Sequence, residues 1–334
     1  MLPKMMTVMS ISRPGGPEVL QPVAREVPNP EAGQVLIKVA FAGLNRADCD
    51  QRVRGSSPTA GTDILGIEVA GEIVATGRNV TRWRVGDRVC SIVNGGGYAQ
   101  YCIAEEPILL PIPAEFDLKQ AAALPEALLV AWSAVFMTGQ LKPGEWLLVH
   151  GGSSGIGTLA IQLARLERAN VIATAGSASK CDVCVKLGAA SAINYREEDF
   201  VAAVQRITDG HGADVILDVV QGHYARKNLE AVAIEGRIVH LSPGVNYEAE
   251  YSVPLVSIMT KRAMVTGARL RITPLSRKIA VVRQVMDRVW PHVGTRVVSV
   301  IDSVFPLERA SDAHARMESG VHIGKILLEV AHRH

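Results

Sequence analysis

Short apolar runs separated by glycine dominate the first third of the chain. They occupy residues 35–40, 69–75 and 88–93, and each has the length of a single strand. Apolar runs of this length, bounded by turn-forming residues, are typical of β-strands. The first part of the sequence therefore predicts a β-rich domain.

The pattern changes between residues 117 and 137, where long apolar stretches at helical spacing are interrupted by Pro125. Proline ends or kinks a helix because it lacks the backbone N–H and clashes with the preceding turn. We place a domain boundary here. The predicted segments are a first domain over 1–125, a second domain over 126–271, and a return to the first domain over 272–334.

Strand-like runs then alternate with helix-length segments. These runs occupy residues 146–150, 171–175, 192–195, 214–219, 237–241 and 264–270. Their almost continuous valine, isoleucine and leucine content is typical of strands that are buried on both faces of a parallel sheet. The second domain is therefore predicted to be α/β, with a doubly wound, six-stranded parallel sheet of the Rossmann type. The tail adds two amphipathic helices and an apolar strand at 326–330.

Composition narrows the choice of partners. The chain has 334 residues and a formal charge of +2, with acidic and basic residues scattered along it. Nucleic acid is an unexpected partner, since no basic stripe is present. No apolar run approaches the ~20 residues that span a bilayer, and the first ten residues lack a signal-peptide pattern. We expect a soluble, cytoplasmic protein without membrane contact.

The five cysteines are widely spread and predict no disulfide framework, which fits a reducing compartment. Cys181 and Cys184 form a C-x-x-C, but within the predicted helix 179–187. Helix packing is the simpler interpretation, and a redox or metal role is left open.

A glycine-rich turn follows the first strand of the second domain. Residues 151–157 read GGSSGIG, in which Gly152 and Gly157 match the first and third glycines of G-x-G-x-x-G and Ser154 replaces the second. Backbone amides at such a helix N-terminus bind a diphosphate. The predicted dinucleotide contacts are Gly152, Ser153, Ser154, Gly155 and Ile156.

The end of the second strand distinguishes NADPH from NADH. An acid at this place would accept from the ribose hydroxyls of NADH and repel a 2′-phosphate. Gly176 and Ser177 stand here without an acid, Lys180 lies close behind, and Tyr195 and Arg196 end the third strand. The alternative is that Lys180 and Arg196 are solvated surface charges, but the missing acid favours NADPH. Gly176, Ser177, Lys180 and Tyr195 are the predicted contacts.

Several motifs together resemble the medium-chain dehydrogenase/reductase superfamily over essentially the whole chain. They are residues 66–71 (GIEVAG), 86–89 (GDRV) and the pair Gly188 and Ala189. The likeness is greatest to the quinone oxidoreductase branch, particularly the p53-inducible quinone oxidoreductase group, through residues 43–48 (GLNRAD), 95–101 (GGGYAQY), 120–127 (QAAALPEA) and 323–326 (IGKI). The resemblance implies a GroES-like fold for the first, catalytic domain.

The same resemblance implies that zinc is absent. In zinc alcohol dehydrogenases of this superfamily, a cysteine stands where this chain has Asn45 and a histidine where it has Ile67. The close-spaced cysteine tetrad of the structural zinc site is also missing, since residues 95–102 contain only Cys102. Without a Lewis acid, the expected acceptor is a quinone or conjugated carbonyl, which delocalises the developing negative charge itself.

By this resemblance Asn45 faces the nicotinamide and is the candidate catalytic residue, although a turn residue stabilised by its own backbone is an equal alternative. The resemblance extends the predicted cofactor site to Leu241, Ser242, Leu270, Arg271 and Lys325. Relatives often carry a tyrosine soon after Asn45, and residues 49–58 contain none. His150 and His240 end predicted strands, where hydrogen bonding is a simpler role than proton donation, and the expected chemistry needs no fixed acid.

The leading hypothesis is a zinc-independent NADPH:quinone oxidoreductase. One alternative is a zinc-free reductase of enoyl-thioester or alkenal double bonds. Another is a non-catalytic NADPH-binding protein. The strand at 264–270 would leave an apolar sheet edge exposed, so we also expect a homodimer through the edge of the Rossmann sheet.

Overall fold

The structure is a computed structural model and describes residues 2–55, 62–113, 116–220, 222, 224–241 and 253–331. It divides into two compact units. The first comprises the described residues of Met1–Glu126, Arg271–Arg288 and Ser299–His334, and the second those of Ala127–Leu270 and Val289–Val298.

The strands are β1 (Met5–Ile11), β2 (Leu20–Glu26), β3 (Gln34–Leu44), β4 (Glu68–Thr76), β5 (Arg88–Ile92), β6 (Tyr101–Glu105), β7 (Leu110–Pro111), β8 (Trp146–Val149), β9 (Asn170–Ala175), β10 (Ser191–Asn194), β11 (Ala213–Asp218), β12 (Val232–His240), β13 (Met264–Gly267), β14 (Ile301–Pro306) and β15 (Lys325–Glu329). The helices are α1 (Arg46–Arg54), α2 (Leu118–Ala122), α3 (Pro125–Trp132), α4 (Gly155–Leu166), α5 (Ala178–Lys186), α6 (Phe200–Ile207), α7 (Tyr224–Ala231), α8 (Leu255–Lys261), α9 (Leu275–Arg288) and α10 (Ala310–Glu318). None of these helices is long and apolar enough to cross a membrane.

The first unit is built on a seven-stranded sheet in the order β14-β15-β3-β4-β5-β7, with β6 also paired to β3. Its central strand β3 buries Leu36, Ile37 and Leu44 completely or nearly so. Leu44 pairs with Ile326 in antiparallel register. Since antiparallel neighbours run in opposite directions, the start of β15 lies beside the junction between β3 and α1. Lys325 and Asn45 are thereby brought together.

The second unit contains a six-stranded parallel sheet in the order β10-β9-β8-β11-β12-β13. Numbered by their order within this unit, the strands read 3-2-1-4-5-6, the doubly wound arrangement. The predicted fold class, α/β with a Rossmann sheet and a β-rich domain, is confirmed.

The sixth strand is shorter than predicted. It ends at Gly267, opposite His240, the last residue of β12. Leu270–Ile272, which the prediction assigned in part to the strand, form a 3₁₀ turn. The predicted strand at 264–270 was therefore too long by three residues.

Residues 289–298 lie with the second unit, although they fall inside the segment that the sequence assigned to the first domain. The side chain of Gln162 explains this placement. Its amide nitrogen donates to the Val298 carbonyl at 3.0 Å, and its carbonyl oxygen accepts from the Val298 amide at 2.9 Å. The paired bonds tie the segment to α4.

Candidate active site

The glycine-rich turn joins β8 to α4 and requires glycine at specific places. Gly151 has a φ of 67°, in the left-handed region that favours glycine. A Cβ on Gly152 would lie 2.7 Å from the Cβ of Ala173 and 2.9 Å from the Sγ of Cys184. A Cβ on Gly157 would lie 2.3 Å from the Gly151 carbonyl oxygen. The turn thus folds tightly against β9, α5 and itself.

Ser154 begins the helix that follows this turn. As N-cap of α4, its Oγ accepts from the Gly157 amide at 3.1 Å. Gly155 and Ile156, predicted as contacts, form the first turn of this 12-residue helix, and Ser153 is buried just before it. Amides of a first helical turn have no partner within the helix and carry the positive end of its dipole. Amides in this arrangement favour an anionic group, and the binding of the dinucleotide diphosphate by this turn stays a prediction.

The predicted 2′-phosphate residues meet at the carboxyl ends of β9 and β10. Ser177 is the N-cap of α5, and its Oγ accepts from the Lys180 amide at 3.3 Å. A Cβ on Gly176 would lie 2.5 Å from the Tyr195 hydroxyl oxygen, so this ring covers the glycine. Arg196 is exposed. The segment from Thr174 to Lys180 contains no acid, and Lys180 lies in the first turn of α5.

His150 at the end of β8 belongs to a buried hydrogen-bond network. Its Nδ1 lies 3.1 Å from the Thr174 hydroxyl and its Nε2 lies 2.8 Å from Asn228 Oδ1. Asn228 in turn donates to Asp218 Oδ2 at 2.9 Å. Burial lowers the pKa of His150. A neutral, hydrogen-bonded imidazole matches the structural role expected from the sequence.

The other contacts predicted in the second unit are Leu241, Ser242 and Leu270. Leu241 is buried, and its amide donates to the Asp218 carbonyl at 3.0 Å. Leu270 is buried at the end of the unit. Ser242 lies outside the described residues.

Asn45, in the first unit, is the N-cap of α1, and its side chain is fully engaged. Its amide nitrogen donates to Glu68 Oε1 at 2.9 Å and to the Gly43 carbonyl at 3.3 Å, while its Oδ1 accepts from Lys325 Nζ at 2.6 Å. A Cβ on Gly43 would lie 2.1 Å from Glu68 Oε1. Glycine at this position therefore lets the carboxylate reach Asn45.

Lys325 is enclosed by oxygen atoms of the same unit. Besides Asn45 Oδ1, its Nζ lies 2.5 Å from Glu68 Oε1 and 3.2 Å from the Leu44 carbonyl oxygen. An ammonium carries three protons, and three oxygens surround it. In the structure its charge lies against Glu68, inside the first unit, and its contact with the cofactor stays a prediction.

Asp48 connects the start of α1, which follows Asn45, to the segment that precedes Glu68. Its carboxylate accepts from the Asn45 amide at 2.9 Å and from the Gly66 amide at 3.1 Å. Tyr98 Oη lies 3.5 Å from the same side chain. Burial raises the pKa of Asp48 to about 6, opposed by the nearby Arg271. Arg271 itself donates to Gln51 Oε1 at 2.8 Å.

Glu126 was not singled out from the sequence. Its backbone amide donates to Glu68 Oε2 at 2.9 Å, so both oxygens of Glu68 are engaged. Burial raises the pKa of Glu126 to about 7; Lys325 opposes the shift, and the Glu68 and Asp48 carboxylates add to it. The signal available in the sequence was an acid directly after the proline that begins α3.

The residues do not fit a zinc ion. Asn45 faces Lys325, and Ile67 is a buried apolar side chain. Burial raises the pKa of the Cys49 and Cys102 thiols to about 12, which disfavours thiolate ligands. Across the described residues, no group of three or more histidine, cysteine, aspartate or glutamate side chains is arranged to hold a metal.

Comparisons with known families agree with this architecture. Residues 31–114 match the alcohol dehydrogenase GroES-like domain, and residues 155–288 match the family described as zinc-binding dehydrogenase. The quinone oxidoreductase of Lama guanicoe is 30% identical over 332 residues, covering 97% of this chain and 98% of that protein. One component of the phenolphthiocerol/phthiocerol polyketide synthase of Mycobacterium tuberculosis is 29% identical over 325 residues, covering 96% of this chain but only 15% of that much longer protein.

Among solved structures, the Escherichia coli quinone oxidoreductase complexed with NADPH superposes with a TM-score of 0.86 at 28% identity, covering 97% of this chain and 99% of that one. The two-unit fold and the glycine-rich turn thus define a medium-chain dehydrogenase/reductase, an oxidoreductase superfamily. Within it, the chain belongs to the quinone oxidoreductase family. The resemblance predicted from the sequence is confirmed.

Proposed function

We propose that this chain is a zinc-independent NADPH:quinone oxidoreductase. The observation that carries the proposal is the pairing of Asn45 with Lys325 and Glu68 at a position where zinc dehydrogenases of the superfamily carry a metal ligand. Without a Lewis acid, an alcohol or simple ketone has nothing to stabilise its alkoxide. A quinone delocalises the charge itself.

The second unit would hold the dinucleotide through its own backbone and hydroxyl groups. The glycine-rich turn would bind the diphosphate, and Ser177, Lys180 and Tyr195 would bind the 2′-phosphate. This assignment is supported by the absence of an acid between Thr174 and Lys180 and by the covering of Gly176 by Tyr195. When bound, the reduced nicotinamide supplies a hydride.

The first unit would bind and align the acceptor. Fixed groups preorganise a site because they need no rearrangement when charge develops in the transition state. Asn45, Glu68 and Lys325 hold one another in such a fixed arrangement. The tyrosine common after Asn45 in relatives is absent from residues 49–58, so the acceptor pocket of this chain has its own specificity.

We extend the proposal to a homodimer formed through β13. This strand is last in the parallel sheet, and Met264 and Val265 are 56% and 37% exposed. An open edge pairs readily with a second copy, and two-fold pairing satisfies both edges. All five cysteines are free and four are buried, which supports a cytoplasmic, reducing location.

A second candidate is reduction of an enoyl-thioester or alkenal double bond, favoured by the likeness to part of a polyketide synthase. Oxidation of NADPH should be measured in parallel with a para-quinone, an ortho-quinone, an alkenal and crotonyl-CoA. The proposal predicts the highest kcat/KM with a quinone. A higher value with crotonyl-CoA or the alkenal would favour the second candidate, and NADPH binding without turnover of any acceptor would favour a non-catalytic protein.

A further inference from the structure

Five charged side chains of the first unit influence one another around Glu126, and their charges do not balance. The carboxyl groups are those of Asp48, Glu68 and Glu126, and the cations are Lys325 and Arg271. They come from different elements, namely α1, β4, α3, β15 and the 3₁₀ turn before α9. We call this group the carboxyl cluster. With all five ionised, it carries one excess negative charge.

Two of the three carboxyl groups are held by donors that favour the ionised form. Asp48 accepts from two backbone amides, and Glu68 accepts from Asn45 and from the Glu126 amide while it contacts Lys325. Donors to a carboxylate stabilise its charge. These two side chains therefore have fixed, structural partners.

The carboxyl group of Glu126 differs from both. Among the described residues, its side chain makes no hydrogen bond, whereas its backbone amide donates to Glu68. Lys325 has three oxygens around it already and does not pair with Glu126. Glu126 is also only half-buried, so water can reach it, whereas Asp48 and Glu68 are fully buried.

We propose that Glu126 is held as a neutral carboxylic acid and donates the proton that completes reduction of the acceptor. This inference rests on the proposed function, in which a hydride reaches a quinone or conjugated carbonyl. Protonating Glu126 removes the excess negative charge of the carboxyl cluster. The proton then lies on the one carboxyl group of the cluster that no other side chain holds in place, so it can be transferred.

Proton transfer from Glu126 accompanies hydride transfer to the acceptor. The acceptor gains two electrons with the hydride, and negative charge develops on its oxygen. The O–H bond of Glu126 breaks, its proton forms a new O–H bond on that oxygen, and the electron pair stays on Glu126 as a carboxylate. NADPH supplies the two electrons that reduce the acceptor, and water returns a proton to the Glu126 carboxylate.

The pKa of about 7 for Glu126 is consistent with this role, because a general acid is most effective when its pKa lies near the working pH. The acid form is present below that pKa and is lost above it. We therefore expect kcat/KM for a quinone to be constant at low pH and to fall about tenfold per pH unit above about 7.

The test is the pH profile of Glu126→Gln. Glutamine keeps the size of the side chain and, since the bond to Glu68 is made by the backbone, preserves that contact. We expect kcat/KM to drop about a hundredfold or more and the alkaline limb to disappear. Glu126→Asp should retain a limb, because it keeps an acid. Glu72→Gln, on the exposed face of β4, is the matched control and should behave as wild type.

An unaltered alkaline limb in Glu126→Gln, or wild-type activity, would overturn the inference. Binding of NADPH by Glu126→Gln, followed by fluorescence, confirms that the variant is folded. A readout independent of turnover is the infrared carbonyl band of the protonated Glu126 side chain. It is measured without cofactor, as the spectrum of the wild type minus the spectrum of Glu126→Gln. The band should vanish as pH rises through about 7. If the band is absent at lower pH, Glu126 is not a neutral acid, even if the protein reduces quinones. If the band is present but the protein reduces no quinone, only the proposed function is refuted.

Discussion

Lys325 Nζ lies 2.6 Å from Asn45 Oδ1, and this contact joins the start of β15 to the N-cap of α1. Glu68 completes the arrangement by contacting both residues. The sequence left two alternatives for Asn45, a catalytic residue facing the nicotinamide and a turn residue stabilised by its own backbone. In the structure its amide is occupied by Glu68 and Lys325, so we expect it to act by fixing the position of the ammonium.

Removing the ammonium should destabilise the first unit strongly. Lys325→Met leaves the fully buried Glu68 carboxylate without its counter-charge, and breaking a buried pair typically costs about 3–5 kcal/mol. Urea unfolding measures this free energy. Lys4→Met, at an exposed lysine of the same unit, should change it little. A double variant, Lys325→Met with Glu68→Gln, should lose less than the sum of the single losses; additive losses would mean that the two side chains are not coupled.

The carboxyl cluster should also make stability depend on pH. Asp48 and Glu126 have pKa values raised to about 6 and about 7 from ordinary values near 4, so the folded state binds their protons more tightly than the unfolded state. Their contribution to stability is therefore greatest below about pH 4 and is lost as pH rises to about 7.

Comparing wild type with Glu126→Gln isolates one of these groups. The free energy of unfolding, measured by urea titration at several values between about pH 4 and 7, should fall less steeply with pH in the variant. Identical slopes in the two proteins would show that Glu126 titrates normally.

The sequence predicts the structure best where a local pattern of apolar residues or glycines determines the backbone conformation. The six parallel strands follow from alternating apolar runs, and the dinucleotide turn follows from glycines whose close contacts admit no Cβ. The β1–β2 hairpin and β14 were not predicted. Most residues of β2 are exposed, and β14 is only partly buried, so neither shows the apolar run that marks a buried strand.

Long-range charge pairing explains what the sequence did not reveal in the site. Glu68 and Lys325 are far apart in the chain and meet only because β15 pairs with β3. The role inferred for Glu126 depends on this contact between Glu68 and Lys325, because the Glu126 amide donates to the same Glu68 carboxylate. Motif spacing identifies segments that bind a cofactor, but it carries no information about which carboxyl group lacks a partner.

Lys180 should determine the preference for NADPH. Lys180→Ala removes a charge-assisted contact worth about 1.5–3 kcal/mol, so the Kd for NADPH should rise about tenfold or more. Binding of NADH, which lacks the 2′-phosphate, should hardly change. Lys186→Ala, at an exposed lysine of the same helix, serves as the control. Equal losses for both cofactors, or a wild-type preference for NADH, would place the phosphate elsewhere.

The dimer should depend on the exposed edge of the parallel sheet. A lysine in place of Met264 puts a charge on β13, and charges on edge strands oppose pairing. Light scattering at micromolar concentration should show a dimer for wild type and a shift toward monomer for Met264→Lys. Val185→Lys, which adds the same charge at an exposed position of α5, should remain dimeric. A monomeric wild-type protein would contradict the proposed interface.

The most direct test of the account is quinone reduction by protein that has been treated with a chelator, with its zinc content measured by elemental analysis. Because Asn45 is bound to Lys325 and Ile67 is apolar, we expect no stoichiometric zinc and the same kcat/KM for NADPH-dependent quinone reduction before and after treatment. About one zinc per chain, lost together with the activity, would contradict the zinc-independent mechanism.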